Sequence, residues 1–152
     1  MFIYVADGLL SGDLPYADRW DHKGPMIYLV DALGRMLTPG SRAGINLLEM
    51  LSFLLCGALA FLTLRPAFGR TAAGIAVISG GVLVAGFLGR GKLTEEWALL
   101  PQFAALFLFA RIGATPGSRG AAISLLAIGA LGAAAFLLRP NLVGLWLAIG
   151  AA

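Results

Sequence analysis

Cysteine, histidine and charge are all scarce in this chain. Cys56 is the only cysteine and sits inside an apolar run, which excludes a disulfide framework and reads as a small buried hydrophobe. His22 is the only histidine, so any Ser or Cys nucleophile would have to draw on that one imidazole. Charged residues fill 12% of the 152 positions, about half the share of a soluble domain. Hydrophobic residues make up 59% and the mean hydropathy is +0.88, which identifies an integral membrane protein. The net charge of +3 is small and its basic residues are scattered, which excludes a nucleic-acid surface. No basic n-region or cleavage site follows Met1, so no cleavable signal peptide is read. P-loop, dinucleotide-glycine, nucleophile-elbow and HExxH motifs are missing too, as is any internal repeat.

Against this background one stretch stands out. Pro15-Tyr-Ala-Asp-Arg-Trp-Asp-His-Lys-Gly-Pro25 gathers the histidine, a Trp, a Tyr and four charged residues into eleven positions. Of the eight acidic residues, Asp7, Asp13, Asp18, Asp21 and Asp31 fall within the first 31. A polar, aromatic-flanked loop at a membrane suits a substrate with a charged head and an oily tail.

The predicted fold is all-α: a multi-spanning helical bundle preceded by two short interfacial helices. Residues 2–10 place Phe2, Val5, Ala6, Leu9 and Leu10 on one helical face, and Ser11-Gly12-Asp13 stops them. A second short helix starts at Pro25, a favourable first-turn residue, and runs to Leu37 with Ile27, Val30, Leu33 and Leu37 on its apolar face. Asp31 and Arg35, four apart on its other face, are expected to pair. Both pieces are too short to span a bilayer and lie in the interface. Residues 1–40 thus form an external loop region, and residues 41–152 supply four to five spanning helices within one transmembrane domain. Those spans are expected at Ile45–Leu64 (ending at Arg65-Pro66), Thr71–Leu88, Trp97–Ala110, Ala121–Leu138 and, in part, Leu142–Ala152. Their alternation puts residues 15–25, 90–96 and 139–141 on one membrane face, while the positive-inside rule leaves the orientation open.

Each candidate residue carries a functional and a plainer reading. Lys23, at the mouth of an interfacial helix, can meet a lipid phosphate with its ammonium, or simply snorkel at the membrane boundary. Asp18, Asp21 and His22 suit sugar hydroxyls or solvent; a divalent metal at Asp21/His22 is a further alternative, with no second cluster to complete it. Glu95 and Glu96 are ionisable groups at the end of a span, hence functional candidates, yet acidic residues also complement a helix start, where Thr94 can cap. Arg139-Pro140-Asn141 breaks a helix and can grip a phosphate or sugar, or merely mark the boundary. Asn46 and Glu49 form a polar contact within the first span.

Tyr4-Val-Ala-Asp-Gly-Leu-Leu-Ser-Gly-Asp-Leu-Pro-Tyr16, then Asp18-Arg-Trp-Asp-His-Lys-Gly-Pro25, Tyr28-Leu and Ala32-Leu-Gly34, resemble the first external loop of a known group of enzymes. These are the polyprenyl-phosphate-sugar-dependent glycosyltransferases of GT-C type, which include protein O-mannosyltransferases and bacterial lipid A aminoarabinose transferases. Leu93-Thr-Glu-Glu-Trp-Ala-Leu-Leu-Pro101, and Phe136-Leu-Leu-Arg-Pro-Asn141 with Gly144-Leu-Trp146, are similar to later segments of the family. The resemblance implies sugar transfer, with inversion, from a lipid-linked phosphate donor to a lipid, glycan or protein hydroxyl. The active site would face outward from a bacterial inner membrane. It implies that Lys23 contacts the donor phosphate, that Tyr16, Asp18, Asp21 and His22 line the sugar-facing loop, that Glu95 or Glu96 is an acidic catalytic element, and that Arg139, with Asn141 beside it, assists. No cofactor is implied.

The family's usual base lies just before the position of Phe2, at the end of a helix that this sequence does not include. The chain is therefore expected to be an incomplete transferase with little or no activity alone. A multi-pass transporter, with Glu49, Glu95/Glu96 and Arg139 along its path, and a non-enzymatic membrane scaffold are the alternative readings.

Overall fold

The computed structural model describes residues 2–87, 93–112 and 118–151, and among these the secondary structure is helical apart from one isolated bridge between Pro15 and Arg19. The elements are α1 (Phe2–Leu10), α2 (Pro25–Leu37), α3 (Ala43–Phe87), α4 (Thr94–Ile112), α5 (Arg119–Leu138), a 3₁₀ turn (Pro140–Val143) and α6 (Gly144–Gly150). The ends of α1 and α2 coincide with those read from the sequence. Gly12, at φ 94°, turns the chain out of α1, and Pro25 opens α2 where its missing N–H costs nothing.

Helix α3 is two limbs in one. The break falls at Gly69, inside the gap expected between Leu64 and Thr71, though the first limb runs past its expected end at Arg65-Pro66, with helix continuing through Pro66. Gly69 has φ 80° and ψ 167°, a region essentially closed to side chains with a Cβ. Past it the second limb returns along the first, so that a Cβ on Gly57 would meet Val77 Cγ1 at 3.5 Å. Between the limbs and Leu99 and Phe103 of α4 lies an apolar cavity of about 470 Å³.

Two helices are long and apolar enough to cross a membrane, Ala43–Gly86 and Arg119–Leu138. Only 11% and 22% of their most apolar windows are buried, the reverse of what core helices of a soluble protein show. Large apolar side chains such as Ile78, Val82, Ile123 and Leu126 point outward, where only lipid or further protein can cover them. Helix α4, expected to span, carries Glu95, Glu96 and Arg111 at its ends and is not one of these two.

The buried core sits at the end of the bundle that carries α1 and α2. Val5, Ile27, Tyr28, Ile45, Trp97, Ala98 and Leu138 pack together there, drawing on α1 to α5. This splits the expected apolar face of α2, with Ile27 inside and Val30 packed against the core but Leu33 and Leu37 outside. Ile27, Tyr28, Asp31, Ala32 and Gly34 are buried, while Leu29, Leu33, Met36 and Leu37 form an exposed apolar stripe. Gly34 permits that contact, because a Cβ there would press into Ile45. Leu10, on the apolar face of α1, is also exposed.

Nor do Asp31 and Arg35 pair. Arg35 forms a two-point ion pair with Asp7 of α1, Nε to Oδ1 at 2.7 Å and Nη2 to Oδ2 at 3.1 Å, and donates to the Ser41 carbonyl. Asp31 turns inward with Oδ1 unpartnered, and burial raises its pKa to about 6 despite the opposing charge of Arg42. The planar fork of an arginine reaches a carboxylate on another helix when tertiary packing presents one.

Candidate functional site

The loop between α1 and α2 is built on Arg19. Its guanidinium pairs with Asp13 (Nε to Oδ2, 2.7 Å), donates to the Tyr4 carbonyl (2.5 Å) and lies 4.4 Å from the centre of the Tyr4 ring. Gly8 makes the room, since a Cβ there would collide with this side chain. The Arg19 carbonyl in turn accepts from the Tyr16 amide at 2.9 Å, and Asp18 accepts from the Leu14 amide at 2.8 Å. Asp18 is therefore a turn-forming residue on the outer side of the loop. Sequence reasoning gave Arg19 no role; its partners lie up to fifteen residues away.

From this base the chain returns to the core. Asp21 is 2% exposed; its Oδ1 accepts from the His22 amide at 2.7 Å and lies 3.1 Å from His22 Nδ1, while Oδ2 has no partner. His22 itself is largely exposed. Among the described residues no three His, Cys, Asp or Glu side chains gather to hold a metal ion; Asp21 and His22 stand as a pair. The Lys23 carbonyl accepts from both Tyr16 Oη, at 2.5 Å, and Tyr28 Oη, at 3.2 Å. Burial, reinforced by the charge of Asp21, pushes both phenols above the ordinary tyrosine range.

Gly24 then meets α5. A Cβ on it would overlap the Leu137 carbonyl oxygen and crowd that of Leu138, so the loop rests on the helix's terminal carbonyls. There α5 ends: Arg139 is extended (φ −165°, ψ 122°), and Pro140 starts the 3₁₀ turn with Asn141 exposed on it. The helix break read at Arg139-Pro140-Asn141 is present.

Arg139 Nη1 forms an ion pair with Glu95 Oε1, joining α5 to the first turn of α4 across 44 residues. Thr94 Oγ1 lies 3.1 Å from Glu95 Oε2. Lys23 is near enough to add a favourable electrostatic contribution at Glu95. Lys23, Glu95 and Arg139 thus share one end of the molecule, as the span alternation required; Arg90 and Lys92, expected beside them, lie outside the described residues. The two glutamates differ. Glu95 and Arg139 are each somewhat over a third exposed, whereas Glu96 is 2% exposed with both carboxylate oxygens unpartnered.

The charged group and the apolar cavity are joined through α4. Leu99, which lines it, follows Glu95 by four residues on α4, about 6 Å along the axis. Two cations and a reachable carboxylate at the head of an apolar cavity can bind a phosphate bearing a long hydrocarbon chain.

A family model described as dolichyl-phosphate-mannose-protein mannosyltransferase matches residues 22–151. No curated protein and no solved structure matches the chain.

Proposed function

The chain belongs to the dolichyl-phosphate-mannose-protein mannosyltransferase family, and from that premise we propose that Lys23 and Arg139 form the donor-phosphate site of a membrane glycosyltransferase. The donor is a sugar on a polyprenyl phosphate, and the acceptor a hydroxyl presented on the extracytoplasmic face of a bacterial inner membrane. The two limbs of α3, α4 and α5 make four spans, with α6 opening a fifth, and α1 and α2 lie in the outer interface. The exposed stripe Leu29, Leu33, Met36 and Leu37 supports this, being what an interfacial helix turns to lipid.

The observation that carries the reading is the ion pair between Arg139 and Glu95, with Lys23 in electrostatic reach. Without donor, Glu95 neutralises part of the positive charge. A phosphate entering between Lys23 and Arg139 takes over as the anion and loosens the hold on Glu95. That carboxylate is then available as the acidic catalytic element, while the cations stabilise the departing lipid phosphate. Glu96, buried beside it, supports the site from within. Tyr16, His22 and Asn141, all exposed, make up the wall facing sugar and acceptor, with Asp18 holding the turn of that loop and Asp21 buried behind His22, and the 470 Å³ cavity takes the first isoprene units.

Titration of the detergent-solubilised chain with farnesyl phosphate, and with farnesol as its uncharged counterpart, tests the assignment. Farnesyl phosphate is expected to bind more tightly than farnesol, with the difference shrinking as salt is raised and in Arg139→Ala. Equal affinity for the two would contradict a phosphate site.

A further inference from the structure

The carbonyl of Lys23 accepts two phenolic hydroxyls at once, from Tyr16 and from Tyr28. A carbonyl oxygen has two lone pairs, so its capacity is filled by these two side chains. The tyrosines also brace each other: their rings meet edge to face at 5.9 Å, and Tyr16 meets Trp20 in the same way at 6.2 Å. Tyr16 holds φ 70°, a conformation uncommon for any residue but glycine and an outlier for a bulky one. The Arg19 carbonyl on its amide and the Lys23 carbonyl on its hydroxyl secure it there. On the far side of the same peptide, Gly24 is stopped by the Leu137 and Leu138 carbonyls.

We propose that Tyr16 and Tyr28 are positioning residues that fix the Lys23–Gly24 peptide and so aim the Lys23 ammonium at the donor phosphate. The proposal rests on the phosphate role given to Lys23 above. Tyr28 is 1% exposed and cannot itself touch a substrate; its hydroxyl can act only through the group it bonds. Burial and the nearby Asp21 charge keep both phenols protonated, hence donors, well above neutral pH. The clamp also explains why the loop tolerates Tyr16 in a strained backbone: relaxing it would release the carbonyl. With the carbonyl held on one side and Gly24 blocked on the other, Lys23 enters the site from a fixed stem. A four-carbon side chain on a free loop would have to be ordered with each binding event.

Two readouts test this, one of the clamp and one of its purpose. Lys23 is the only lysine followed by glycine, because the other, Lys92, precedes Leu93. Labelling with carbonyl-¹³C lysine and ¹⁵N glycine therefore isolates the Lys23 carbonyl as a single NMR signal. Tyr16→Phe and Tyr28→Phe are each expected to move it upfield, as a lost hydrogen bond does, with thermal midpoints close to that of the parent chain. Each is also expected to weaken farnesyl phosphate binding about three- to ten-fold, and neither to weaken it further once Lys23→Ala is present. An unmoved carbonyl signal would overturn the clamp. A loss of affinity that persists undiminished in the Lys23→Ala background would overturn the positioning role. If the signal moves but Lys23→Ala binds farnesyl phosphate as the parent chain does, the phosphate role of Lys23 fails, and its positioning with it, while the clamp's geometry stands.

Discussion

Gly24 lies directly against the carbonyl oxygen of Leu137, so closely that a Cβ could not be accommodated without moving backbone. The loop between α1 and α2 is thereby seated on the end of α5, one residue before Arg139. Replacing Gly24 with Ala should lift the loop and separate Lys23 from Glu95 and Arg139. The cost in stability should be about 1–3 kcal/mol, the usual range for overpacking, and farnesyl phosphate affinity should fall with it. Thermal unfolding and titration of Gly24→Ala check both, and Gly12→Ala is the comparison: Gly12 has open space around it, so only its φ of 94° is penalised.

Glu95 occupies Arg139, one of the two cations proposed to hold the donor phosphate. Its replacement by Gln should raise affinity for farnesyl phosphate about two- to five-fold at low salt, the scale of a partly exposed ion pair. Any sugar transfer should fall in the same variant, since the carboxylate proposed as an acidic catalytic element is gone. Weaker phosphate binding in Glu95→Gln would show that Glu95 supports the anion site instead of competing for it.

Asp31 provides a test in pH. Burial raises its folded-state pKa from 3.8 to about 6, against the lowering effect of Arg42, with Asp7 adding a further rise. The folded chain thus holds this proton more tightly than the unfolded chain. Its stabilising contribution is full below pH 4 and is lost as the pH climbs through 6. Asp31→Asn should therefore match the parent near pH 4 and exceed it at pH 7, by no more than about 3 kcal/mol for a two-unit shift. Unfolding midpoints measured between pH 4 and pH 7 give the comparison; a constant difference across that range would contradict a buried, titrating Asp31.

The local signals in the sequence were the reliable ones. Gly12, Pro25 and Arg139-Pro140 act on the backbone within a residue or two, and α1, α2 and the end of α5 lie where such punctuation puts them. The convergence of Lys23, Glu95 and Arg139 at one end was legible from the alternation of apolar segments, because segments that run back and forth return to the same end every second one. Faces were not legible. In a soluble protein an apolar stripe marks the core, but beside a membrane it can equally face lipid, and on α2 the stripe of Leu29, Leu33, Met36 and Leu37 is exposed while Asp31 is inside. Partners far apart in sequence were hidden too. Asp7 with Arg35, and Tyr28 with the Lys23 carbonyl, depend on how helices pack, which no spacing rule encodes. Pro66 looked like the end of a span, yet a proline removes only one hydrogen bond, whereas Gly69 can take backbone angles that turn the chain round.

Lys23 is where the account stands or falls. The affinity of the chain for farnesyl phosphate, compared with that of Lys23→Ala under identical conditions, tests it most directly. Loss of one charge-assisted phosphate contact should weaken binding about 10- to 100-fold, with farnesol binding unchanged. Farnesyl phosphate binding that is the same with and without the lysine would contradict the proposed donor site.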